Sequence, residues 1–241
     1  MLFSTLGLGF LIGMQHATEA DHVAAVCSVA SGQRGIRTIS RHGIFWGIGH
    51  TITLTAVGGT CMLLRTSVSE GLAGKLEFAV GVMLIGLGVH LFWRLWRDKV
   101  HFHGHRHDNG TAHYHLHSHR DDKKAHGLSP HGHSHPQALP WRTLVIGLVH
   151  GMAGSAALIV LTAATIDSFW WGLAYIVTFG LGTIAGMGML SAIIAAPLTF
   201  TARRLTFANS SIQLAIGILT VLVGIRILFE TAPLALASTL N

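Results

Sequence analysis

Long apolar segments are the feature that most constrains what this chain can fold into. Six of them have roughly 20 residues or more, enough for a helix to cross a hydrocarbon core about 30 Å thick. They lie near residues 2–30, 43–64, 74–96, 142–165, 169–197 and 210–230. Charged residues make up only 11% of the chain, too few to cover a soluble surface of this size. The sequence predicts an all-α polytopic membrane protein with six transmembrane helices.

The basic residues predict how these helices are oriented. Most Lys and Arg residues outside the apolar segments lie in 31–42, 97–141 and 198–209, which six spans place on one face. The other face has little beyond Arg65 and Lys75. Because basic loops mark the cytoplasmic side, we expect a multi-pass protein of the cytoplasmic (inner) membrane with both termini outside. The same alternation accounts for the net charge of +6, so nucleic acid is not an expected partner.

The two halves of the chain resemble each other. "IGMQH" at 12–16 aligns with "IGLVH" at 146–150, "WGIGH" at 46–50 with "FGLGT" at 179–183, and "AVGVMLIGLGVHLF" at 79–92 with "AIGILTVLVGIRIL" at 215–228. Each half has three spans, so the second must enter the membrane upside down, as in many secondary transporters. We predict a 3+3 inverted repeat, with repeats at 1–96 and 141–241 and a linking loop at 97–140.

Four polar side chains interrupt the first apolar segment: His16, Glu19, Asp21 and His22. An ionisable group at the centre of a membrane helix costs at least about 2.5–3.5 kcal/mol, so packing alone does not explain them. Histidine and carboxylate are ligands of divalent transition metals such as nickel, cobalt or zinc. On a straight helix the two histidines and Glu19 share one side, whereas Asp21 lies near 140° from His16. Either the helix unwinds locally, or Asp21 orients a ligand histidine.

Two further histidines fall at a similar depth. About 1.5 Å of rise per residue puts His22, His50 and His150 roughly 10 to 14 Å from the cytoplasmic ends of their helices. His16 would lie about two turns deeper, so the set could line a short path. We predict metal-handling residues at His16, Glu19, Asp21, His22, His50 and His150.

The motif "HATEADH" at 16–22 resembles the H-x-x-x-x-D-H signature of the nickel/cobalt transporter family, and "GHT" at 49–51 resembles its second histidine motif. The resemblance implies metal handling by His16, Asp21, His22 and His50. Larger members have eight spans and an L-G-F-D-T-A-T-E motif, where this chain has "LVHGMAGSAAL" at 148–158. The chain looks more like the shorter branch of urease-accessory-type permeases and nickel/cobalt efflux proteins.

The linking loop is rich in histidine and poor in residues that could form a core, so we expect it to be disordered without metal. Alternating histidines bind transition metals weakly at several interchangeable points. The predicted auxiliary metal-binding positions are His101, His103, His105, His107, His113, His115, His117, His119, His131, His133 and His135.

These features predict a secondary transporter of Ni²⁺ or Co²⁺, with no prosthetic group. At about 100 mV, negative inside, the membrane potential favours entry of a divalent ion by about 4.6 kcal/mol, which makes uptake the preferred direction. Efflux would need proton exchange, for which the buried acids and histidines are available. Expected partners are the metal ion, the lipid bilayer and cytoplasmic metallochaperones. An intramembrane zinc hydrolase and a metal sensor are the alternatives, but neither H-E-x-x-H nor H-x-x-E-H occurs.

Overall fold

The computed structural model describes residues 2–31, 33, 35–66, 69–97, 101–106, 112–117, 140–151, 165–166, 168–204 and 206–237. Within these residues the fold is a bundle of α-helices. The helices are α1 (Leu2–His16), α2 (Ala20–Ala30), α3 (Ile36–Leu64), α4 (Glu70–Arg97), α5 (Trp141–His150), α6 (Phe169–Arg204) and α7 (Thr206–Ala237).

Four helices are long and apolar enough to cross a membrane: α3, α4, and the segments Phe169–Phe200 of α6 and Asn209–Pro233 of α7. They coincide with four of the six predicted spans and extend beyond them at most ends. Helix α3 begins after Gly35, whose φ of 88° suits glycine, and is followed by Arg65, whose backbone is in the left-handed region. The prediction of an α-helical membrane protein is confirmed at this level.

The first predicted span is a broken helix. Helix α1 ends at His16, residues 17–19 form a turn, and α2 begins at Ala20. The Glu19 amide donates to the His16 carbonyl over 3.0 Å, so the chain stays compact through the break. The local unwinding that the sequence offered as one alternative is therefore present in the structure. The fourth predicted span, 142–165, begins as α5, but most of it after Gly151 lies outside the described residues.

Close approach at glycines fixes how the helices pair. A methyl group added at Gly47 of α3 would lie 2.8 Å from the Ile184 Cα of α6, and one at Gly224 of α7 would lie 2.8 Å from the Gly81 carbonyl oxygen of α4. Such contacts require glycine, because any side chain would push the two backbones apart. Contacts of this kind occur along both helix pairs. Their order along the chain shows that α3 is antiparallel to α6 and that α4 is antiparallel to α7.

Helix α1 packs parallel to α6, and α5 packs parallel to α3. The starts of α3 and α5 therefore lie at one end of the bundle, which we call the loop face because residues 97 and 140 flank the histidine-rich loop there. The starts of α1 and α6 lie at the other end, the opposite face. The break after His16 and the end of α5 at His150 both fall between the two faces.

Part of the histidine-rich loop has regular structure. Strands β1 (His101–Arg106) and β2 (Ala112–His117) form an antiparallel hairpin, in which His101 pairs with His117 and His103 with His115. The expectation of disorder is therefore wrong for these two segments, where the alternating residues adopt a strand pairing that composition did not indicate. His107, His119, His131, His133 and His135 lie outside the described residues.

Candidate metal centre

Two helix ends meet at the centre of the bundle. His16 is the last residue of α1 and His150 is the last residue of α5, and their exposed fractions are 4% and 0%. The C-terminal end of a helix carries a partial negative charge of roughly half an elementary charge. Two such ends in the membrane interior form a site suited to a cation, as in the broken helices of transporters.

Four histidine rings cluster at these ends. The ring centre of His22 lies 4.4 Å from that of His16 and 4.2 Å from that of His150. His50 comes from α3, with its ring centre 5.2 Å from His16 and 5.4 Å from His22. All four rings are almost fully buried. The expectation that His16 lies two turns from His22 is wrong, because the break in the helix folds the two residues back together.

Asp21 links two of these histidines. One carboxylate oxygen lies 3.0 Å from His22 Nδ1, and the other lies 3.1 Å from His150 Nε2. A carboxylate that accepts from one ring nitrogen fixes the tautomer and leaves a lone pair on the other nitrogen. Those other nitrogens, His22 Nε2 and His150 Nδ1, are buried without a hydrogen-bond partner within the described part of the chain. Asp21 thus prepares both histidines to donate electron pairs.

The donor atoms form two overlapping groups. His16, His22 and His50 each offer one nitrogen, and these atoms lie within 4.8 Å of one another. Asp21, His22 and His150 form a second group by the same measure. Ligands about 2.1 Å from a shared ion are at most about 4.2 Å apart, so the spacing in both groups is close to that of a metal shell. His50 Nδ1 is also buried without a partner among the described residues, which adds a further free donor.

Glu19 stands apart from both groups. Its carboxylate lies 2.9 Å from His16 Nδ1, and its side chain is 49% exposed. Glu19 and Asp21 border a cavity of about 360 Å³, whose lining also includes Glu77, Arg226 and Glu230. Glu19 thus contacts one histidine of the first group but belongs to neither donor group found among the described residues.

Two other histidines of the bundle, His42 and His90, lie away from the cluster. His42 of α3 is half-buried and makes a hydrogen bond of 2.6 Å to the Thr143 hydroxyl of α5. His90 of α4 is exposed and lies beside Trp93. Neither belongs to the metal-donor groups found among the described residues.

Sequence reasoning missed two aromatic residues that enclose the cluster. Trp46 has its ring centre 5.6 Å from that of His150, and Phe179 has its ring centre 5.3 Å from that of His16. Both are completely buried. The sequence held a signal for them, because they occupy aligned positions in "WGIGH" and "FGLGT", but tryptophan and phenylalanine are unremarkable in an apolar helix.

Buried imidazoles and a carboxylate at two helix ends are the arrangement expected of a membrane protein that handles a divalent transition metal. The family model for high-affinity nickel-transport proteins matches residues 2–237, so the chain belongs to that family. It is 36% identical over 230 residues to the "Urease accessory protein UreH" of Bacillus sp. (strain TB-90), an alignment that covers 95% of this chain and 92% of the relative. No solved structure gives a significant match. Family membership makes the chain a membrane transporter of nickel and not an enzyme.

Proposed function

We propose that this protein carries Ni²⁺ into the cell across the cytoplasmic membrane and binds it midway at the two overlapping donor groups. The observation that carries the proposal is the convergence of His16, His22, His50 and His150 with Asp21 at two helix ends. We further propose Co²⁺ as a second substrate, because cobalt accepts the same nitrogen and oxygen ligands.

His22 belongs to both groups, which suggests how the ion moves. It shares the first group with His16 and His50 and the second with Asp21 and His150. An ion bound to the first group could exchange ligands one at a time and pass to the second while His22 stays bound. Each exchange would leave the ion at least partly coordinated, which avoids the large cost of a bare charge in the membrane.

We also propose that the two halves form a 3+3 inverted repeat, as the internal alignment predicts. Support comes from helix contacts that recur at aligned positions. Gly13 of α1 packs on the backbone of Phe179 and Thr183, and Gly147 of α5 packs on that of Trp46 and His50. The second set follows from the first by adding 134 to Gly13 and subtracting 133 from Phe179 and Thr183. A two-fold relation of this kind would let the halves rock about the metal centre.

For direction and topology we propose uptake with both termini outside. The charge pattern favours a cytoplasmic loop face, and the membrane potential favours inward movement of a divalent cation by about 4.6 kcal/mol at 100 mV. We propose that the histidine-rich loop then collects ions that leave on the cytoplasmic side and presents them to metallochaperones. The cross-strand pairing of histidine positions in the hairpin supports this role.

The test is nickel accumulation in cells and in proteoliposomes with an imposed potential. We expect the wild type to accumulate nickel and His22→Ala to lose at least about 90% of that activity. His90→Ala is the matched control, because it removes an exposed histidine of the same bundle. Unchanged accumulation in His22→Ala would refute the proposed site. Higher accumulation in His22→Ala cells than in wild-type cells would instead indicate efflux.

A further inference from the structure

The aromatic residues that enclose the metal centre are related by the internal repeat. Trp46 and Phe179 begin the aligned segments at 46–50 and 179–183. The histidines they contact, His150 and His16, end the aligned segments at 146–150 and 12–16. Each aromatic ring therefore packs against the histidine that ends a helix, once in each half of the chain.

The two rings lie on opposite sides of the histidines. Trp46 precedes His50 by one turn of α3, and α3 starts at the loop face, so Trp46 lies between the cluster and that face. Helix α6 starts at the opposite face, and Phe179 lies ten residues from that start, on the opposite-face side of His16. An ion that moves from either face to the histidines along the bundle axis meets one of these rings.

The surroundings of Trp46 and Phe179 on the side away from the histidines differ. Behind Trp46, on the loop-face side, is a cavity of about 10 Å³, the size of one water molecule, with His42, Thr143 and Ser191 in its lining. The Ser191 hydroxyl and the Trp46 Nε1 are buried without a hydrogen-bond partner in the described part of the chain. Behind Phe179 is an apolar cluster that contains Leu54 and Ile176. The lining also includes Val26, Val29 and Ile39, so His42, Thr143 and Ser191 are a few polar groups in a mostly apolar cavity immediately beyond the Trp46 ring.

We propose that Trp46 and Phe179 are the two gates of the ion path, Trp46 toward the loop face and Phe179 toward the opposite face. This inference rests on the proposed function. Each ring blocks its side while it packs against its histidine, and a rocking movement of the halves withdraws one ring at a time. Once Trp46 withdraws, Ser191 and His42 offer an oxygen and a nitrogen to the departing ion.

The experiment measures release of bound nickel to each side of the membrane separately. Purified protein is loaded with ⁶³Ni²⁺ and reconstituted in liposomes in one orientation, with an impermeant chelator either outside or entrapped. We expect Phe179→Ala to speed release to the opposite face at least about tenfold, with the loop-face rate unchanged. Trp46→Ala should do the reverse. Tenfold corresponds to about 1.4 kcal/mol less barrier to opening on that side.

Controls separate gating from a general loss of packing. Trp93→Ala removes a half-exposed tryptophan of α4 and should leave both release rates unchanged. If an alanine variant fails to bind nickel, Trp46→Leu and Phe179→Leu keep more of the apolar volume and should show the same sidedness at smaller amplitude. A purely structural role would change both faces alike.

Two results would refute the proposal that Trp46 and Phe179 are gates. One is equal acceleration on both faces in each variant, and the other is no acceleration in either. The second result is expected if ions reach the site through the cavity beside Asp21. Failure of the proposed function looks different, because the wild type itself would then move no nickel across the liposome membrane.

Discussion

Replacement of Gly151 by alanine tests whether close contact between α5 and α3 sets the geometry of the metal centre. Gly151 follows His150 directly and is buried against His50. Its φ of −66° and ψ of −5° suit alanine as well as glycine, so the substitution adds no backbone strain. The added methyl group would lie 2.5 Å from the His50 carbonyl oxygen, whereas ordinary contacts begin at 3.4 Å.

The methyl group and the His50 carbonyl oxygen must therefore move apart by up to about 0.9 Å (3.4 − 2.5 Å) through a shift of α5 or α3 near the site. Binding sites generally need their ligands within about 0.5 Å of the productive geometry. Overpacking of this kind costs about 1–3 kcal/mol. If the strain is relieved by moving His150 away from His50, nickel affinity should fall by about ten- to a hundredfold, or about 1.4–2.8 kcal/mol.

Nickel affinity of the purified protein is measured by titration calorimetry, and uptake is measured in proteoliposomes. Gly86→Ala is the control, because it is also a glycine-to-alanine change in the bundle and no atom lies within 4 Å of the added methyl group. We expect Gly86→Ala to bind nickel as the wild type does. Wild-type affinity in Gly151→Ala would show that the helix contact does not set the site geometry, and the reasoning would be wrong.

Three other changes have expected outcomes. Asp21→Asn removes the charge that holds two histidines and should weaken nickel binding about 10- to 100-fold in a competition titration, while Glu230→Gln, at an exposed ion pair, should change it less than twofold. Thr220→Val removes the 3.1 Å hydrogen bond from α7 to the Ala24 carbonyl of α2 and should lower the melting temperature by about 2–4 °C, measured by differential scanning fluorimetry. Deletion of residues 98–139 should remove the weak nickel sites of the histidine-rich loop but keep the strong site of the metal centre, as measured by equilibrium dialysis. Nickel transport should also be retained, as measured by uptake assays.

The sequence predicted the long helices because their apolar length follows from the thickness of a membrane, independently of how they pack. It also singled out His16, Asp21 and His22, since buried ionisable groups are costly and therefore conspicuous in an apolar segment. The internal alignment matched His150 with His16 as equivalent positions of the two halves. These inferences needed only local composition, spacing and a comparison of the two halves.

Only the tertiary structure decided which of these residues meet. Position along a straight helix placed His16 two turns from His22, but the break at residues 17–19 brings their ring centres to 4.4 Å. The pairing of Asp21 with His150, 129 residues away, depends on how α2 and α5 are placed in the bundle, which no local pattern specifies. The physical reason is that a helix break and a close helix crossing are chosen by packing across the whole bundle, whereas hydrophobicity and charge are properties of each segment alone.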